Sequence, residues 1–143
     1  MEYRVCRNNP APYNDLNGKI SLLGLGTMRL PLRDAADQTS IDEEKAQEIF
    51  DYAYAHGVNY FDTAYPYHGG MSEKFCGKAL AKYPRASYHL ASKLPGWLLK
   101  CDEDVPRIFN EQLANCRTDY FDFYLAHSVH ESSWSNYAKY HAY

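Results

Sequence analysis

Three ionisable side chains, Asp62, Lys93 and His127, each stand where an apolar run of the sequence stops. Asp62 follows Val58-Asn59-Tyr60-Phe61, Lys93 follows Tyr88-His89-Leu90-Ala91-Ser92, and His127 follows Tyr120-Phe121-Asp122-Phe123-Tyr124-Leu125-Ala126. A carboxylate, an ammonium and an imidazole gathered at one rim can hold charge, orient one another and pass protons to a bound molecule. Their separations of 31 and 34 positions each accommodate one strand and one returning helix, the length of a βαβ repeat. Parallel strands would therefore deliver all three to the same end of a sheet.

The elements that must position them follow from turn residues and apolar periodicity. Residues 1–19 read as a short hairpin, because both residues of Asn17-Gly18 tolerate positive φ in a tight turn. Residues 20–25 read as a buried first strand. Its glycines, Gly24 and Gly26, do not extend into a dinucleotide fingerprint, since Arg29 stands where the third glycine belongs. Ser40-Ile41-Asp42-Glu43 has capping-box spacing and predicts a helix to His56, with Ala46, Ile49, Phe50 and Ala53 on one stripe and Gly57 as a left-handed stop. A second helix is expected over residues 71–82, with Phe75, Cys76, Ala79 and Leu80 inward. A third is expected over residues 102–116, with Val105, Ile108, Phe109, Leu113 and Cys116 inward. The fourth strand, residues 120–126, is apolar except for Asp122, as expected when both faces are covered. Residues 20–127 thus form βα units of a single α/β domain, and residues 128–143 a loop leading into the start of a fourth helix.

The stretch from Gly57 resembles the aldo-keto reductase motif G-x-x-x-x-D-[TS]-A-x-x-Y-x-x-G-x-[ST]-E. Gly57, Asp62, Thr63, Ala64, Tyr67, Gly70, Ser72, Glu73, Gly77 and Leu80 occupy its positions, and Ser92-Lys93 and Leu125-Ala126-His127 supply two later landmarks. The resemblance implies a partial (β/α)8 TIM barrel of about four parallel strands and three to four helices, with the hairpin across its bottom. It implies a catalytic tetrad of Asp62, Tyr67, Lys93 and His127, and NADPH or NADH as cofactor, touched by Gly26, Thr27, Asp62 and His127. The substrate is then a small aldehyde or ketone, lodged near Met28 and near Trp97 at the tip of an apolar loop. Cys76 departs from the usual aliphatic residue before Gly77, and Arg117-Thr118 from the usual small-then-aliphatic pair. Met28-Arg29-Leu30-Pro31 and Leu94-Pro95-Gly96-Trp97 look closest to a branch that carries a C-terminal iron-sulfur segment, absent here.

On that reading each residue has a task. An ordinary tyrosine is a poor acid at neutral pH, with a pKa of about 10, so protonating a carbonyl oxygen with Tyr67 requires a neighbouring cation. Lys93 is that cation, and unit charges about 4 Å apart at an effective dielectric of about 20 interact by about 4 kcal/mol. Asp62 keeps Lys93 charged and oriented, His127 donates to the substrate carbonyl, and the cofactor supplies the hydride. Tyr67 and Lys93 are expected within hydrogen-bonding reach.

A complete barrel takes about 250 residues, and phosphates usually sit beyond its strands 7 and 8. The 143 residues are therefore expected to be a truncated form that needs its missing half, with open strand edges able to pair with a second copy or a complementary half. The alternatives are a non-catalytic remnant or association module, and a metal-dependent hydrolase using Asp62, His127 and His130. The last lacks the H-x-H pair that such sites often take from the first strand.

Composition narrows the partners. A formal charge of -3 and a pI near 6.0 give no electrostatic reason to bind nucleic acid. No run of about 18 apolar residues is present to span a bilayer, and Met1-Glu2-Tyr3-Arg4 does not start a secretion signal. Cys6, Cys76, Cys101 and Cys116 form no C-x-x-C pair, which argues against a cysteine metal site and suits a reducing, cytoplasmic setting.

Overall fold

The computed structural model describes residues 1–5 and 19–140. Strand β1 (Tyr3–Val5) pairs antiparallel with β2 (Lys19–Ser21), in the register Tyr3 to Ser21 and Val5 to Lys19. The hairpin is present, while the Asn17-Gly18 turn and Cys6 lie outside the described residues. The expected first strand over residues 20–25 divides in two: its beginning belongs to the hairpin, and only β3 (Leu25–Gly26) joins the main sheet. Leu22 and Leu23, between them, are exposed rather than buried.

The main sheet places β3, β4 (Tyr60–Asp62), β5 (His89–Leu94) and β6 (Phe123–Ala126) side by side, all parallel. Gly26 lies level with Asp62, Asp62 with Ala91, and Lys93 with Leu125. The three predicted strand ends therefore sit at one rim, the C-terminal one. Between strands the chain returns through α1 (Glu43–Ala55), α2 (Met71–Leu80) and α3 (Asp104–Cys116), and α4 (Ser135–Ala138) follows β6. This is the expected partial barrel. None of the helices among the described residues is long and apolar enough to cross a membrane.

Helix α1 starts two residues later than the capping box implied. Asp42 is its N-cap and accepts from the Lys45 amide at 3.3 Å, while the Ser40 hydroxyl closes the preceding loop on Asp34 and Asp37. An ionised carboxylate is the better cap for the exposed amides. Gly57 takes φ +87, the left-handed stop expected of it. Ala46 and Phe50 are fully buried, and Phe50 stacks on Phe61 and meets Phe75 edge-on, tying α1 and α2 to β4. Each such ring or leucine withdrawn from water contributes about 1.5–3 kcal/mol. Ile49, assigned to the same stripe, is instead 40% exposed.

Helices α2 and α3 approach at Gly77. A Cβ there would lie 2.5 Å from the Cys116 backbone, so only glycine permits the contact. Cys76, the departure from the family pattern, is enclosed beside this crossing, and burial pushes both its thiol and that of Cys116 upward. Arg117, the other departure, takes φ 52 as the left-handed cap of α3, and Thr118 accepts from Arg85 Nε at 2.9 Å. Strand β6 does not have both faces covered: Leu125 is 41% exposed, because no fifth strand flanks it among the described residues.

Candidate active site

Asp62 ends β4 and Lys93 lies near the end of β5, and the two strands are neighbours in register, so the side chains converge. Lys93 Nζ donates to Asp62 Oδ1 at 2.6 Å and to the Thr63 carbonyl at 2.7 Å. Most of the ammonium's hydration is replaced by these acceptors, which keeps a charge near the rim of a sheet. Tyr67 follows on the loop after β4, which leads through a 3-10 turn (Tyr67–Gly70) into α2.

The ammonium stands 4.9 Å from the centroid of the Tyr67 ring. The expected hydrogen bond from Lys93 to the Tyr67 hydroxyl is absent among the described residues. Asp62 and Thr63 have taken two of the ammonium donors, and the ring presents its face to the charge, an attraction of about 0.5–2 kcal/mol. The ammonium thus faces the phenol ring rather than its hydroxyl.

His127 follows β6 and meets the same group. Its ring lies edge-on to Tyr67 at 5.7 Å and under Trp97 at 5.1 Å. Its pKa is lowered by burial and by the Lys93 cation, against a smaller opposing pull from Asp62, so the imidazole is neutral at pH 7. Its Nδ1 is buried with no hydrogen-bond partner among the described residues. A buried polar atom left unpaired costs about 1–3 kcal/mol.

The remaining predicted site residues separate. Gly26 lies level with Asp62, and a Cβ added there would meet nothing within 4 Å, so the rim is open at that point. Trp97 is half exposed and faces His127, whereas Met28 stands 56% exposed on the loop after β3. Thr27, expected to touch the cofactor, is fully enclosed: its hydroxyl donates to the Asp62 carbonyl at 3.0 Å and accepts from Ser72 at 2.7 Å. It splices the end of β3 to that of β4 and offers no surface to a ligand.

His130 does not join Asp62 and His127 as a metal ligand set. Its ring bonds Ser132 at 2.9 Å, Asp62 is bound to Lys93, and no group of three His, Cys, Asp or Glu gathers among the described residues.

A buried polar layer beneath the rim escaped the motif reading. Ser92 donates to Glu73 Oε1 at 2.6 Å, and Gln112 Nε2 reaches Glu73 Oε1 at 2.6 Å, Ser92 Oγ at 2.8 Å and the Lys93 carbonyl at 3.1 Å. Gln112 Oε1 in turn accepts from the Tyr124 hydroxyl at 2.5 Å. A glutamine one turn beyond Ile108 and one turn before Cys116, on an otherwise apolar stripe, is a sequence signal that could have found this layer. Tyr137 gives no such signal. Its hydroxyl accepts from the Gly96 amide at 2.9 Å and donates to the His127 carbonyl, fixing the loops that carry Trp97 and His127.

The model of the Aldo/keto reductase family matches residues 22–137. L-galactose dehydrogenase of Arabidopsis thaliana is 32% identical over 117 residues, 78% of this chain and 35% of that protein. An aldo-keto reductase from Bacillus halodurans, solved in its holo form, superposes with a TM-score of 0.65 at 31% identity, covering 87% of this chain and 40% of that one. A Klebsiella pneumoniae aldo/keto reductase solved with NADP and acetate gives a TM-score of 0.63 at 25% identity, over 88% of this chain and 43% of that one. The chain spans about a third of the length of the curated relatives it matches.

Proposed function

Because the chain belongs to the aldo-keto reductase family, we propose that its C-terminal rim is the proton-handling half of a site that reduces small aldehydes or ketones to alcohols. The observation that carries this reading is the single cluster in which Lys93 bonds Asp62 and faces the Tyr67 ring, with the His127 ring edge-on to that same ring. The open space at Gly26, level with Asp62, suits a flat ring such as a nicotinamide. Gly26, Asp62 and His127 are the residues here that would hold it. A reduced nicotinamide cofactor, NADPH or NADH, supplies the hydride in such a reaction.

Tyr67 gives the carbonyl oxygen its proton. As that proton leaves, negative charge grows on a phenol already beside an ammonium, so the transition state gains more from Lys93 than the ground state does. Asp62 and the Thr63 carbonyl hold that ammonium in place. A neutral His127 can donate one ring N–H toward the oxygen without repelling Lys93. Trp97, tilted against His127, offers an apolar wall to the substrate body.

The rest of the site requires further barrel strands. The outer edge of β6 and an apolar cavity of about 530 Å³ lined by Leu94, Val105, Tyr124, Leu125, Tyr137 and Tyr140 are where they would pack. The remainder of a longer chain, or a second chain, provides them. Mixing the full-length protein with NADPH and a generic aldehyde tests the function: nicotinamide absorbance falls in the wild type and not in Tyr67→Phe. Equal consumption by both proteins contradicts the role given to Tyr67, and none by the wild type contradicts the reductase reading.

A further inference from the structure

The carbonyl oxygens of β5 point alternately to its two neighbours. Those of Leu90 and Leu94 accept from the amides of Asp122 and His127 on the β6 side, and that of Ala91 accepts from the Thr63 amide on the β4 side. By the same alternation the Lys93 carbonyl faces the β4 side. Strand β4 has already ended there, since its last residue, Asp62, lies level with Ala91. No strand amide is available to the carbonyl of the residue whose ammonium organises the rim. Gln112, reaching in from α3, bonds it instead at 3.1 Å.

The Gln112 amide has one workable orientation. Its oxygen accepts from Tyr124, so its nitrogen must face Glu73, Ser92 and the Lys93 carbonyl, all acceptors at those contacts. Reversing the amide would set its oxygen against the Glu73 carboxyl and the Lys93 carbonyl. Glu73 is anchored independently by Asn115 at 3.2 Å, and Glu73, Ser92 and Gln112 are all fully buried. A buried network of this kind, in which the two Gln112 N–H groups are shared among three acceptors, is rigid because no member can turn without stranding another.

We propose that Gln112, held by Tyr124 and Glu73, is a positioning residue that replaces the missing strand partner of Lys93 and thereby fixes the ammonium between Asp62 and the Tyr67 ring. Its usefulness to catalysis rests on the reductase reading above, but its geometry does not, and the test needs no turnover. His127 serves as the reporter, because the Lys93 cation acts on it. Its titration is followed by NMR in the full-length protein, with the signal assigned through its loss in His127→Asn.

Lys93→Met, which removes the cation, raises the pKa of His127 and sets the reference. Gln112→Met keeps the length of the side chain and removes its polar atoms; the expected result is a rise of His127 in the same direction, amounting to much of the reference change. Asp122→Ala, which destabilises the opposite end of the sheet without touching α3, leaves His127 where it was. A folded Gln112→Met protein whose His127 titrates like the wild type overturns the proposal, as does an equal rise in Asp122→Ala. Should Gln112→Met fail to fold, Tyr124→Phe decides: a smaller rise supports the clamp, and an unchanged titration overturns it. Absence of reductase activity alongside these shifts would count against the reductase reading alone.

Discussion

Two ion pairs sit at opposite ends of the same parallel sheet and have opposite surroundings. At the N-terminal end Arg85 bonds Asp122 at 2.7 Å, the Thr118 hydroxyl at 2.9 Å and the carbonyls of Tyr88 and Tyr120 at 3.0 and 2.9 Å, with its guanidinium over the Tyr120 ring. Asp122 also accepts from the Leu90 amide at 2.8 Å and contacts His89. At the C-terminal end Lys93 and Asp62 are as close, at 2.6 Å, yet around them His127 Nδ1 has no partner among the described residues and Trp97 is half exposed. Each arrangement follows from its position. The N-terminal end is crossed by the hairpin and closed by planar, multidentate groups, whereas the C-terminal end is built from loops that stop short of saturating one another. Polar groups are closely saturated at the N-terminal end and less so at the C-terminal rim, where the connecting loops lie.

Substitutions at the two ends should therefore separate rate from stability. Tyr67→Phe is expected to slow hydride transfer in the full-length protein by about 10²–10⁴-fold, with NADPH affinity nearly intact and stability changed by less than about 0.5 kcal/mol; stopped-flow absorbance and urea unfolding measure these. Asp122→Ala leaves a largely buried guanidinium without its partner and should cost about 3–5 kcal/mol of stability, visible as a lower urea midpoint, with the rate per folded molecule preserved. Gly77→Ala drives a methyl into the α3 backbone and should cost about 1–3 kcal/mol, again without a specific effect on rate.

Acid should distinguish the ends more gently. His127 has a folded pKa below its ordinary 6.5, so the unfolded chain takes up that proton first and stability falls as pH drops through about 6.5. Burial alone would raise the Asp122 carboxyl, but hydrogen bonds from His89 and the Leu90 amide, with the Arg85 charge, outweigh it and hold the group below 3.8. Its contribution is present above 3.8 and lost only at lower pH. Urea midpoints measured across this range should decline in two steps, and His127→Asn should remove the upper one.

The parallel order and the meeting of Asp62, Lys93 and His127 at one rim were legible from apolar runs ending in ionisable residues, because strand length and crossover length constrain spacing tightly. Tyr67 became legible only through its motif. The first strand was misjudged because Ile20 and Leu25 look alike in sequence, and the choice between hairpin and sheet is made by the partner, Tyr3–Val5 or β4. The enclosure of Thr27 was not legible, because a threonine at a strand end bonds a neighbouring backbone as readily as a ligand. The Glu73–Gln112 layer was hidden because its members are distant in sequence; only the polar interruption of an apolar helix stripe betrayed it.

The most direct test is single-turnover hydride transfer from NADPH to an aldehyde in the full-length protein, comparing Tyr67→Phe with Asp122→Ala and normalising each to the folded fraction. The account predicts a loss of at least about 100-fold for Tyr67→Phe and an unchanged rate for Asp122→Ala. Equal losses in the two variants, or a loss confined to Asp122→Ala, would contradict the assignment of chemistry to the C-terminal rim.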